Sequence, residues 1–316
     1  MKTLLFISCF LSCILVSAQP IVSGLVTNTE PDRIRFITSD VDAFWKAFDL
    51  FKRDTTTNPF EDYLTKGTPA IQQFLPYRIK DAHQFKKMIK NEIRYYESIR
   101  PYSKEILTYE EQVREYFTRF KRLYPHAIFP DVYFVIGQMN TGGTIFDGGI
   151  IIGMEQFAAD SLTTSYGQPA MSIAKLPFVI TSALIFYQQK PAHTGYTLLR
   201  QCIIQGSADF VTSLVLDEDK DILLNSKNYQ YGEQHEEALM KEFLREKDSS
   251  DFSKWLYQGQ LIGERPADLG YWVGYKITEA YYNNATNKTR AIDEIFKIND
   301  FEKFLLLSGY AEPFRN

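Results

Sequence analysis

Imidazoles are the first groups to examine for metal or acid–base chemistry, and this chain has four: His83, His126, His193 and His235. None stands one helical turn from another, so no pair shares a helix face in the spacing that chelates zinc. His193 falls in a Pro- and Gly-containing connection and reads as a turn or cap residue. His235 with Glu236 could line a cleft or pair with a helix terminus. Ser182 is a hydroxyl nucleophile by type, but no His or acid is identifiable beside it to activate it. Asp209 follows Gln205 by one turn, within reach of whatever Gln205 holds. Arg265 and Asp268 flank Pro266 at an expected helix start, where Asp is a good cap and Arg an ion-pair partner. Tyr271, Tyr275 and Tyr282 follow near-helical spacing as a core stripe whose hydroxyls could reach a cleft.

The elements that must carry these residues follow from periodicity. Phe44, Phe48 and Phe51, then Phe85, Met88, Ile89, Ile93 and Tyr96, then Tyr116, Phe117 and Phe120 recur at helical spacing and are expected to form core. After Ile128-Phe129-Pro130, Val132–Ile136 and Thr144–Met154 read as neighbouring strands joined by a Gly-rich turn, Asn140-Thr141-Gly142-Gly143. That turn lacks the Gly-Lys-Ser/Thr ending of a phosphate loop. Helices are expected over Ile173–Gln189, Tyr196–Leu216, Glu233–Glu246, Asp268–Tyr282 and Arg290–Phe296. The short Pro and Gly connection between the first two favours antiparallel packing. A hairpin centred there sets Ser182 opposite Gln205, with Phe186 beside them.

The segments Ile180–Gln189, Leu198–Gln201, Gln205–Phe210, Tyr231-Gly232 with His235-Glu236, Trp255-Leu256-Tyr257 followed by Gly259, and Arg265–Ile277 stand in one order, preceded by Asn140–Thr144 and Glu155. Together they resemble the zinc-dependent protease domain family related to the gliding-motility lipoprotein GldB of Bacteroidetes, from about Val132 to Tyr310. The resemblance implies an α+β, mainly helical fold: a gluzincin or zincin-like metallopeptidase scaffold with a small β-sheet and a helix hairpin at the metal site. In that family the first helix carries His-Glu-x-x-His and the second a Glu. Two imidazoles and a carboxylate hold Zn²⁺, while the Glu beside the first His activates a metal-bound water.

This sequence departs from that pattern at all four positions. The first His is Ser182, the general-base Glu is Ala183, the second His is Phe186, and the third ligand is Gln205. Ser and Gln are weak neutral ligands for Zn²⁺, Phe is none, and Ala accepts no proton. Zinc is the family's expected cofactor, and its ligands are absent here. The expectation is a pseudoenzyme with no catalytic residue, in which Phe186 fills the vacated volume and Ser182 hydrogen-bonds Gln205. Asp209, His235, Glu236, Arg265, Asp268 and Tyr271 would line the former cleft. The enzyme alternative is an active hydrolase or peptidase using a non-family site.

With 316 residues, a net charge of −4 and no long basic run, the chain lacks the electrostatic footprint of a nucleic-acid binder. Residues 1–18 read as a secretory signal peptide: Met1-Lys2, an apolar Leu4–Val16, and small residues at Val16-Ser17-Ala18. Cys9 and Cys13 lie inside it, and Phe10-Leu11-Ser12 makes Cys13 a poor lipid acceptor. Cys202, the one cysteine left after cleavage, reads as a small buried hydrophobe. No apolar run reaches the length of a transmembrane helix. A helical region over 19–127 is expected to pack as one unit with a metallopeptidase-like domain over 128–316. Export to the periplasm, outer membrane or exterior is expected, with a peptide, glycan or envelope protein as partner. The sequons Asn284-Ala285-Thr286 and Asn287-Lys288-Thr289 read as accidental in that setting.

Overall fold

The computed structural model describes residues 26–158, 170–189, 195–258 and 265–315. The expected signal peptide with Cys13, the connection residue His193, and Gly259 lie outside these residues. The described chain is mainly helical with one small sheet, an α+β protein. Six helices come first: α1 (Ser39–Arg53), α2 (Phe60–Thr65), α3 (Pro69–Phe74), α4 (Ala82–Asn91), α5 (Ile93–Ser103) and α6 (Glu110–Leu123). Strand β1 (Phe36–Ile37) precedes them, and β2 (Asp131–Val135), β3 (Gly143–Phe146) and β4 (Gly149–Gly153) follow. Then come α7 (Leu176–Gln188), α8 (Leu198–Leu216), α9 (Asp221–Leu224), α10 (Lys227–Gln234), α11 (Glu236–Glu246), α12 (Leu269–Asn284), α13 (Lys288–Phe296) and α14 (Phe301–Ser308). The described chain divides into two compact units, one of residues 26–118 with 128–184, the other of 119–127 with residues from 185 onward.

The first unit is built on aromatic packing. Phe44 of α1 is fully buried, its ring centroid 4.9–6.2 Å from those of Trp45, Phe48, Phe60, Tyr63, Phe85 and Tyr96. Such contacts add to the burial of large apolar rings. The helical stripes read from the sequence are therefore core, as expected; Ile93 alone of those named is only half-buried. Helix α1 carries Asp40 and Asp42 in its first turn and Lys52 and Arg53 in its last, matching the helix dipole.

The sheet runs β1-β2-β4-β3. Strand β4, Gly-Ile-Ile-Ile-Gly, is buried along its whole length between parallel β2 and antiparallel β3, which explains its unbroken apolar run. This corrects the expected strand pairing. Asn140–Gly143 joins β2 to β3, which are not neighbours, and the hairpin is β3–β4 around Asp147-Gly148. Asp-Gly between apolar runs is the stronger hairpin signal, and it splits the segment read as one strand. The two residues of β1 pair with Val132 and Tyr133 and are too few to leave a periodic pattern.

In the second unit α8 is the central element, with every residue but Leu214 buried. It crosses α12 at glycines: a Cβ on Gly274 would fall 1.8 Å from the Cys202 carbonyl oxygen, and one on Gly206 2.1 Å from the Tyr275 nitrogen. Only residues without a Cβ allow this backbone approach. The helix expected over Glu233–Glu246 breaks at His235, whose φ of −123° ends α10 and starts α11. The sequon asparagines both have structural partners. Asn287 caps α13 by accepting from Arg290 N at 2.9 Å, and Asn284 donates to the Ser308 carbonyl at 2.9 Å.

Candidate functional site

Helix α7 carries the first three family positions. Its Thr181 is buried and donates to the Pro177 carbonyl at 2.8 Å, while Ser182, Ala183 and Phe186 are half-buried. The Ser182 hydroxyl has no hydrogen-bond partner among the described residues, so nothing there activates it as a nucleophile. Beside this helix lies the start of β3: a Cβ on Gly143 would stand 3.3 Å from Val179 and 3.8 Å from Ala183. Ser182 and Ala183 belong to the first unit, and Phe186, Gln205 and Asp209 to the second.

Gln205 is buried on α8, and its amide is already committed. Its Nε2 donates to the Tyr257 hydroxyl at 3.1 Å, and that hydroxyl donates in turn to Gln201 Oε1 at 3.4 Å. Gln201 and Gln205 lie one turn apart, so both face one phenol. This neutral pair stands where the sequence suggested a Ser182 partner. Further along, Gln189 just beyond α7 donates to the Ile204 carbonyl at 2.9 Å and the Ser207 hydroxyl at 3.1 Å. The register that faces Ser182 with Gln205 would set Gln189 opposite Leu198. The end of α7 therefore meets the middle of α8, not its first turn.

Asp209 has found the new donor its position required. Its Oδ2 accepts from the Tyr229 hydroxyl at 2.8 Å, and burial pushes its carboxyl up to about 7. The Tyr229 phenol is itself raised, first by burial and then by the Asp209 charge. Its ring meets Tyr275 edge-on at 5.3 Å, and the Tyr275 hydroxyl shares a 3.2 Å hydrogen bond with Ser213. Gln205, Asp209 and Ser213 of α8 thus each share a hydrogen bond with a phenol from a neighbouring element. Tyr257 and Tyr229 are the partners that spacing alone did not reveal; Tyr257 at least stands in the quoted Trp255-Leu256-Tyr257 segment, whereas Tyr229 stands in none.

The remaining candidates each have a partner within the fold. His235 is exposed, stacks on Tyr231 at 3.9 Å and places Nδ1 2.9 Å from its carbonyl. Glu236 accepts from the Tyr310 hydroxyl. Arg265 pairs with Glu242 at 2.8 Å and lies 4.7 Å over the Trp255 ring, the ion pair expected of it. Asp268 does stand at the start of α12, but in the left-handed region at φ 62° and without capping the helix by its side chain. Its carboxylate accepts from Gln258 N at 3.0 Å, and Gln258 Oε1 accepts from Asp268 N at 3.1 Å. This closed pair displaces the expected cap. Tyr271 and Tyr282 are half-buried and Tyr275 is buried.

A zinc ion is what the motif positions would hold in the resembled family, and the donors here do not fit it. A hydroxyl, a methyl, a phenyl and an amide already bonded to a phenol offer no imidazole and no charge. Among the described residues no group of three or more His, Cys, Asp or Glu could hold a metal ion. His83 and His126 are exposed, the latter edge-on to Tyr124 at 6.0 Å, and Cys202 is buried with its thiol pushed up by burial. Among the described residues no helix is long and apolar enough to cross a membrane. No curated protein and no solved structure matches the chain. The family model described as gliding motility protein GldB matches residues 28–312, most of the chain, and to that family this protein belongs.

Proposed function

We propose that this protein is a non-catalytic member of the GldB family, exported and held at the cell envelope, which keeps a zincin-like metallopeptidase scaffold and binds an extended peptide without cleaving it. The observation that carries the reading is the chemistry at the four motif positions. Ser182, Ala183, Phe186 and Gln205 supply neither a metal site nor a general base, and Gln205 is tied into a neutral chain with Tyr257 and Gln201. The description of the family as gliding-motility lipoproteins supports envelope association. The mixed sheet with one antiparallel edge strand, and a helix beside that strand's first residue, are consistent with a metallopeptidase-like scaffold.

Strand β3 is the place for the peptide. Among the described residues it pairs with β4 on one side only, its residues are half-buried, and its first residue lies beside Ala183 of α7. An extended chain adding to such an edge gains main-chain hydrogen bonds, while side chains in alternation give selectivity. For the hydrolase alternative with Ser182 as nucleophile, the described residues offer the hydroxyl no hydrogen-bond partner to accept its proton.

The test is a peptide library presented to the mature protein, with binding and hydrolysis read in the same samples. Bound peptides are expected to come off intact, and to lose affinity when every second backbone nitrogen is methylated. Cleavage that is abolished by a zinc chelator would overturn the reading.

A further inference from the structure

Glu155 is a fully buried carboxylate in the first unit, with no cation beside it among the described residues. It sits in the turn that follows β4, yet its side chain reaches back to the connection between β2 and β3. Oε2 accepts from Gly137 N at 2.8 Å and Oε1 from Met139 N at 3.3 Å. Met139 is held at φ 59°, a left-handed conformation that a residue with a bulky side chain adopts only under constraint. Glycines clear the space for the carboxylate. A Cβ on Gly137 would fall 2.8 Å from Oε1, and one on Gly153 3.1 Å from Oε2 and 2.3 Å from the Thr141 carbonyl.

We infer that Glu155 is a proton-operated latch, whose carboxylate fixes the connection over 137–142 and with it the entry into edge strand β3. The other ties on this connection do not titrate near neutrality. Tyr63 both donates to the Ile136 carbonyl and accepts from Ile136 N, and Tyr96 donates to the Gly137 carbonyl. Gln138 and Asn140 donate to the carbonyls of Ile79 and Arg78. The titratable groups facing Glu155 are phenols, Tyr63 of α2 and Tyr95 of α5, the latter bonded to the Glu155 carbonyl; both are raised by burial. Helix α3 presents the Phe74 ring to this corner.

Ionised, the carboxylate offers an acceptor to each amide. Protonated, it turns one oxygen into a donor, and the longer bond, to Met139 N, is the one given up. Burial moves this carboxyl up to about 7, with backbone bonds from Gly137, from its own amide and from Met139 opposing the shift, so the exchange falls near neutrality. The latch requires no ligand on β3, and its test is therefore independent of the peptide reading.

The experiment is a pH titration of the mature protein between about pH 5 and 9, following the Gly137 and Met139 amides by NMR, in the native chain and in Glu155→Gln. Both amide protons are expected to move downfield as pH rises, with a midpoint of about 7, and to stay still in the variant. Protection of Met139 and of the β3 amides, relative to intrinsic exchange, is expected to fall about threefold on the acid side, the equivalent of one weak hydrogen bond. Amides that do not titrate in the native chain, that titrate equally in the variant, or whose protection is independent of pH would overturn the latch. The native titration alone decides if the variant does not fold.

Discussion

Gln205 illustrates what burying a neutral amide on a helix entails at the scale of one residue. A buried amide must find partners, and Tyr257 supplies one at 3.1 Å. Tyr257→Phe is expected to lower stability by about 1–2 kcal/mol, because the Gln205 donor is left buried and unpaired. Removing both polar ends, with Gln205→Leu added, is expected to recover part of that loss; urea unfolding of the single and double variants checks the sign. The identities of Ser182, Ala183, Phe186 and Gln205 were legible in the sequence, since residue type alone excludes zinc chemistry there. Their partners were not. Tyr257 stands 52 positions from Gln205 and adopts φ 63°, and neither the distance nor the backbone conformation leaves a local sequence signal.

Helices were the most legible elements, because each buried face repeats at helical spacing over several turns. The failures have local causes. The pattern over Glu233–Glu246 continues through His235, where the backbone turns and the imidazole stacks on Tyr231 instead. Strand β4 was fused to β3 because both are apolar, and Asp147-Gly148 between them was read as interior. The crossing of α8 and α12 was invisible in periodicity, although it is where the glycines matter most. Ala is a better helix former than Gly by about 1 kcal/mol, so propensity alone says Gly274→Ala should stabilise α12. The contact with the Cys202 carbonyl reverses that sign, since the two backbones must move apart. A loss of about 3 kcal/mol is expected, read as a lowered Tm and urea midpoint. A variant as stable as the native chain would show that the helices can separate at no cost.

For the molecule as a whole, two buried carboxyls dominate the response to pH. Glu155 and Asp209 are both moved up to about 7 by burial, from ordinary values near 4. The folded chain keeps these protons while the unfolded chain has already released them, so stability falls as pH rises from about 4 to about 7 and levels off above. Each group accounts for roughly 4 kcal/mol over that window. Paired surface carboxylates work in the opposite sense: Asp49 beside Arg100 and Asp293 beside Lys297 are held low, and their contribution fades in stronger acid. Stability is expected to peak near pH 5, with a higher urea midpoint there than at about pH 8. Glu155→Gln combined with Asp209→Asn should flatten the difference.

The claim on which the functional account stands is that Ser182, Ala183, Phe186 and Gln205 leave no place for a catalytic metal. Elemental analysis of the mature protein, purified without chelator and dialysed against zinc-supplemented buffer, tests it most directly. The account predicts far less than one zinc per chain, and no gain in Tm on adding the metal. One tightly held zinc per chain, lost together with peptidase activity on chelation, would contradict it.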